Sequence, residues 1–163
     1  WAYQQYSVEP DIMTLAKALG GGLPIGATLM KQHVADAIQP GDHAATFGAN
    51  PVVANVALTV MEKLQADGLI EEIKAKGDHL RARLEKLQQR WPEQISEIRG
   101  RGLLQGAVVT DRPPADYLAA FRERDILVAP CATDVVRFLP PLVIEKDQID
   151  EAVDVFDEIL RQS

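Results

Sequence analysis

Cysteine is almost absent: Cys131 is the only one in 163 residues. A single thiol can neither close an internal disulfide nor build a thiolate metal cluster. That excludes a disulfide-stapled scaffold and fits a reducing cytoplasm; no residue is assigned as a metal ligand. Blocks of positive charge are missing as well. With 24 acidic against 17 basic residues and a formal net charge of −7, the chain offers no clustered Lys/Arg surface for tracking phosphates, so no nucleic-acid partner is expected. Nor is there a long unbroken hydrophobic run. His43 to Met61 carries no formal charge, but Asn50-Pro51 breaks it and Gly48 and Asn55 interrupt it. Only Pro51 to Met61 reads as helix, roughly 16 Å at 1.5 Å per residue, about half of the ~30 Å hydrocarbon core. It is expected to be a buried helix of a soluble protein, with no membrane partner. No signal or transit pattern is recognisable at the start. The segment Trp1-Ala2-Tyr3-Gln4-Gln5-Tyr6 enters mid-pattern without an initiator methionine, and the expectation is a fragment of a longer protein.

What is present is the composition of a globular chain, 47% hydrophobic and 25% charged, long enough for one domain or two lobes. The first third is rich in Gly and Pro. Ile12–Leu15 reads as a short buried strand and Ala27–Met30 as a second, and Lys17–Gly26, with three consecutive glycines, as the loop between them. Lys31–Ile38 reads as a short helix and Gly41–Ala49 as a loop. Asn50 followed by Pro51 is an N-cap with proline at the first helical position. From about Asp67 to Trp91 the apolar stripe Ile70, Ile73, Gly77, Leu80, Leu84, Leu87, Trp91 marks a long helix, which bridges two lobes. Its opposite face is charged and includes the Glu72–Lys76 pair. Gly77 within that stripe implies close approach to another element, and Pro92 ends the run. Strands are expected at Ile95–Arg99, Leu103–Thr110, Ile126–Ala129 and Val135–Leu139, and a helix at Pro114–Arg124. A last amphipathic helix uses Ile149, Val153, Phe156 and Leu160. This second part is an α+β unit on a small sheet.

The glycine cluster does not bind a dinucleotide or nucleotide by the known fingerprints, since it leads into Pro24 and a strand rather than a helix, and no phosphate-loop motif is present. Lys17 is the residue with chemical potential. It follows an apolar strand, lies between Ala16 and Ala18-Leu19, and has no carboxylate nearby in sequence. Such an amine can serve as a Schiff-base nucleophile. On residue type alone, a lysine whose stem lies on apolar surface and whose ammonium reaches water is the ordinary alternative. In the last strand, Val135, Arg137 and Leu139 share one face and Val136 and Phe138 the other, so the Arg137 guanidinium starts between apolar neighbours and needs an anion.

Four segments, in order along nearly the whole chain, resemble the class III pyridoxal-phosphate aminotransferases, and within them the acetylornithine and ornithine aminotransferase group. They are Pro10-Asp11-Ile12-Met13-Thr14-Leu15-Ala16-Lys17-Ala18-Leu19-Gly20-Gly21-Gly22-Leu23-Pro24-Ile25-Gly26-Ala27, Thr46-Phe47-Gly48-Ala49-Asn50-Pro51, Arg99-Gly100-Arg101-Gly102-Leu103, and Val136-Arg137-Phe138-Leu139-Pro140-Pro141-Leu142-Val143-Ile144. The resemblance implies an α/β chain, the C-terminal part of a fold-type I transferase. Residues 1–68 would end the cofactor-binding large domain and residues 69–163 would form a small α+β domain. It further implies that Lys17 holds pyridoxal 5'-phosphate and shuttles a proton, and that Thr46 binds the cofactor phosphate of the neighbouring subunit in a homodimer with shared active sites. Arg137 would bind the substrate carboxylate. The implied reaction takes an amino group from acetylornithine or a similar amino-acid or diamine-derived donor to 2-oxoglutarate. A 4-aminobutyrate-type or other ω-amine donor is the alternative within the class, and a non-catalytic interaction fragment the alternative outside it. Four positions depart from the family pattern: Ala49 replaces a glycine, Ala44-Ala45 replaces Gly followed by Ser or Thr, and Gln5 stands where histidine is common. In the family, the aspartate that pairs with the cofactor nitrogen and the phosphate loop precede the segment corresponding to Trp1. The 163 residues alone are therefore expected to be inactive.

Overall fold

The computed structural model describes every residue except Asp67 and Ser163. The expected helix start at Asp67 and the last residue of the expected 69–163 domain thus lie outside the described residues. The chain forms two compact units, Trp1–Asp67 and Gly68–Ser163. Among the described residues no helix is long and apolar enough to cross a membrane.

In the first unit, β1 (Ile12–Ala16) pairs antiparallel with β2 (Gly26–Met30), from Ile12 opposite Met30 to Ala16 opposite Gly26. The connection is more ordered than a loop. Lys17–Gly20 makes one 3-10 turn, and Gly21 and Gly22 reverse the chain at φ of 56° and 103°. Gly21 is also needed for closeness, because a Cβ there would lie 3.2 Å from Val56 Cγ1 and 3.4 Å from Val60 Cγ2. Both valines belong to α2 (Pro51–Leu64), which follows the single-turn α1 (Gln32–Ala35). α1 falls short of the expected Lys31–Ile38 because the amides of Ala37 and Ile38 bond three residues back, to Val34 and Ala35, tightening the helix into turns. α2 starts as its sequence dictates: Asn50 Oδ1 accepts from the amides of Val52 at 3.0 Å and Val53 at 3.3 Å. Two expectations of burial fail. Ile12 is 54% exposed and β1 alternates between exposed and half-buried, since a ribbon of two strands has little to cover it. In α2 only Ala57 is buried, and Val52 and Leu58 are exposed; the helix meets the glycine turn through one narrow stripe.

The second unit comprises α3 (Leu69–Arg90), β3 (Ile95–Arg101), β4 (Leu104–Val109), α4 (Pro114–Arg122), β5 (Ala129–Cys131), β6 (Val135–Phe138) and α5 (Lys146–Arg161). Its strands form one antiparallel sheet in the order β3-β4-β6-β5. Ile98, Ala107, Val109, Val136 and Phe138 from one face of that sheet join apolar residues of all three helices in a single core. Phe156 of α5 sits at its centre, with ring centroids 5.6 Å from Tyr117, 5.5 Å from Phe121 and 5.7 Å from Phe138, the spacing of edge and tilted aromatic contacts. The close approach implied by Gly77 is present: a Cβ there would fall 2.5 Å from Cα of Gly102, in the turn between β3 and β4. The α3 stripe begins later than expected, with Ile70 exposed. Lys76 does not lie on a solvated face but is only 4% exposed, its ammonium 2.5 Å from Glu72 Oε1. That partner at the tip compensates the charge while the aliphatic stem is buried.

The strand expected at Ile126–Ala129 is displaced to Ala129–Cys131. Asp125 adopts φ 59°, its amide bonds to Arg122 at 3.1 Å, and the amide of Ile126 bonds to Phe121 at 3.1 Å. This is a Schellman ending for α4. It uses Ile126 to close the helix, and Ile126 and Val128 pack on the core outside any strand. Pro130 then lies in β5, the edge strand, where a missing N–H is tolerated.

Candidate functional site

β1 delivers Lys17 at its end with φ 54°, in the left-handed region. A non-glycine residue held there costs on the order of 1–2 kcal/mol, and the conformation turns the chain from the strand into the 3-10 turn that seats on α2. The Lys17 side chain is exposed, and among the described residues its ammonium makes no hydrogen bond or ion pair. Lys31, just past the far end of the same hairpin, is in the opposite situation. Its Nζ lies 3.2 Å from Asp11 and 3.5 Å from Glu9, and the hydrogen bond to Asp11 raises its pKa. The hairpin therefore carries one lysine neutralised by carboxylates and one whose amine is uncommitted.

Thr46 sits at the corner of a turn closed by a 3.0 Å bond from the amide of Gly48 to the carbonyl of Ala45. It is exposed, and its neighbour Phe47 is 82% exposed. Ala49 follows at φ 55°, which accounts for the glycine of the resembled pattern, since glycine takes this conformation without a Cβ penalty. The loop leads directly into the Asn50 cap. The segments carrying Lys17 and Thr46 are thus both set by α2, one against its middle and one at its N-terminus. Arg137 belongs to the other unit.

β6 turns Val136 and Phe138 into the core and puts Arg137 on the opposite face. Its cross-strand neighbours are both small, Gly106 on β4 and Ala129 on β5. A Cβ at position 106 would lie 2.7 Å from Val135 Cγ1, so glycine there keeps the strip beside the guanidinium low. Arg137 Nε is buried with no hydrogen-bond partner. A buried donor left unsatisfied costs about 1–3 kcal/mol, more when charged, so this position favours an anion. Sequence reasoning missed the flanking small residues, although Gly106 inside a strand pattern was the available signal.

The family model for "Aminotransferase class-III" matches residues 1–160. The acetylornithine aminotransferase of Prochlorococcus marinus (strain MIT 9313) is 48% identical over 153 residues, 91% of this chain and 36% of that protein. The acetylornithine aminotransferase of Methanocaldococcus jannaschii is 40% identical over 162 residues, 99% of this chain and 40% of its own length. Among solved structures, the acetylornithine aminotransferase from Elizabethkingia anophelis superposes with a TM-score of 0.88 at 32% identity, over 99% of this chain and 41% of that one. The ornithine aminotransferase from Toxoplasma gondii ME49 gives 0.89 at 33%, over 99% and 39%. The chain spans about two fifths of the length of these relatives. Its order of elements, its four motifs and these likenesses agree: the chain belongs to the class III aminotransferase family and carries the α/β fold of the fold-type I pyridoxal-phosphate-dependent transferases.

Proposed function

We propose that the protein carrying this chain moves an amino group from acetylornithine, or a similar amino donor, to 2-oxoglutarate with the help of pyridoxal phosphate. The observation that carries the reading is Lys17, an uncommitted amine at a strand end, held in a left-handed conformation beside a glycine turn packed on α2. These residues fit the cofactor, which needs an amine not already spent on a carboxylate. When bound, pyridoxal phosphate supplies the electron sink that lets a proton leave the amino-bearing carbon of the substrate. Lys17 holds the cofactor through its amine and, once released, holds and moves that proton. Thr46, at an exposed corner, offers its hydroxyl and amide to the phosphate of a neighbouring subunit, which makes the protein a homodimer with shared sites. Arg137 orients the substrate carboxylate through two parallel N–H···O bonds. In this reading residues 1–68 end the large domain, residues 69–163 form the small one, and the 163 residues alone do not turn over.

The test is Lys17→Ala in the full-length protein, with glutamate formation from acetylornithine and 2-oxoglutarate as the readout. Losing the general acid–base group is expected to lower turnover by at least about 10²–10⁴-fold. Undiminished turnover in the absence of added amines contradicts the assignment.

A further inference from the structure

The outer face of the second sheet carries a second arginine in line with Arg137. Arg99 on β3 and Arg137 on β6 are both register partners of Gly106 on β4. Residues directly opposite one another in an antiparallel ladder share a face, so the two guanidinium groups rise from the same side, two strand spacings or roughly 10 Å apart. Between them stands a residue with no side chain. Glu97 shares that face one row away, its register partner being Val108. Its carboxylate is 2.8 Å from Arg99 Nε, and both side chains are more than half exposed. Arg83, Arg90 and Arg161, by contrast, are engaged by Asp150, Asp154 and Asp157 of α5. Arg137 lies on the same face as Arg99, two strands away, and its buried Nε has no hydrogen-bond partner.

We infer that Arg99 is a specificity-determining residue that holds the Glu97 carboxylate and so keeps the face around Arg137 positive and open to the carboxylate of the substrate. The inference rests on the reading of Arg137 as the carboxylate-binding residue. In a chain of net charge −7, an unpaired Glu97 would set a like charge against every incoming carboxylate and offer Arg137 a competing internal partner. Arg99 removes both effects with charge alone. A lysine can do the same, whereas Arg137 needs the planar fork.

The experiment compares kcat/KM for an amino-acid donor with that for an amine lacking the carboxylate, in the full-length holoenzyme at low ionic strength. Arg99→Gln is expected to lower this ratio about two- to fifteenfold, the range given by Coulomb attraction across roughly 10 Å between water-like and protein-surface screening. The loss should shrink in about 0.5 M salt, where the screening length is only a few ångströms. Arg99→Lys should retain most of the ratio, and Glu97→Gln combined with Arg99→Gln should recover it. An unchanged ratio in Arg99→Gln, or a loss that persists at high salt and survives the double substitution, overturns the inference. Arg137→Lys separates the two levels: if it lowers the ratio while Arg99→Gln does not, only the role of Arg99 falls; if neither does, the carboxylate reading of Arg137 falls too.

Discussion

Gly77→Ala sets helix propensity against packing, and the structure decides which wins. In an isolated helix the change gains about 1 kcal/mol. At this position the new Cβ would stand 2.5, 2.6 and 2.9 Å from the Cα, carbonyl carbon and oxygen of Gly102. All three are backbone atoms. Gly102 is held at φ 54° and its carbonyl accepts a 2.7 Å bond from Gln105 Nε2, so it cannot swing aside as a side-chain tip would. Restoring ordinary contact distances of ~3.5–4.0 Å requires α3 to retreat by about 1 Å, which loosens Leu80 and Leu84, at 2% and 0% exposure. Overpacking costs about 1–3 kcal/mol, and with three backbone atoms inside 3.0 Å this position falls in the upper part of that range, about 2–3 kcal/mol. After subtracting the propensity gain, a net loss of about 1–2 kcal/mol is expected. Urea denaturation of both proteins would read it as a lower midpoint at unchanged slope. Faster hydrogen exchange along α3 and the turn between β3 and β4 would localise it. A variant as stable as the parent refutes the contact.

Other consequences follow from single positions. Ala49→Gly relieves an alanine held at φ 55° and should raise stability by up to about 1 kcal/mol after the entropy cost of glycine; a lower thermal midpoint would count against this backbone geometry. Arg137→Lys keeps the charge and loses the fork, so kcat/KM for amino-acid substrates should fall by the equivalent of about 2–4 kcal/mol. Amines without a carboxylate should suffer much less, and equal losses accompanied by lower thermal stability would point to a structural ion pair instead. Tyr117 is buried, and burial, then its 2.7 Å hydrogen bond to Asp111, raises its pKa from 10.0 to about 12. The folded state keeps a proton that the unfolded chain releases, so this contribution is complete below pH 10 and is lost as pH rises to about 12. Tyr117→Phe should flatten the fall in stability across that interval; an unchanged slope would refute the attribution.

Where a pattern had one physical meaning, the sequence disclosed the structure. The Asn50-Pro51 cap, the Gly77 contact and the alternation of Val136 and Phe138 against Arg137 each follow from local stereochemistry, and the structure shows each. Local pattern could not show which end of an apolar run would be used for something else. Ile126 to Val128 has strand composition, but the Schellman ending of α4 takes Ile126, and strand pairing begins three residues later. Burial was harder still, because it depends on what packs from elsewhere. Lys76 looked like a solvated charge and is buried beside Glu72, whereas Ile12 and Val52 looked like core and are exposed. Of the candidate site, Thr46 was legible only through motif resemblance, whereas strand context drew attention to Lys17 and Arg137 and the resemblance supplied their roles. The left-handed backbone at Lys17 and Ala49 and the low strip made by Gly106 and Ala129 required coordinates.

The most direct test of the account is to find which amine holds the cofactor. The full-length protein is incubated with pyridoxal phosphate, reduced with borohydride, digested and mapped by mass spectrometry. One adduct per chain is expected, on the peptide containing Lys17, whose amine is uncommitted, with Lys31 unlabelled because Asp11 and Glu9 hold its ammonium. An adduct on Lys31 or scattered over exposed lysines, with Lys17 unmodified, would contradict it.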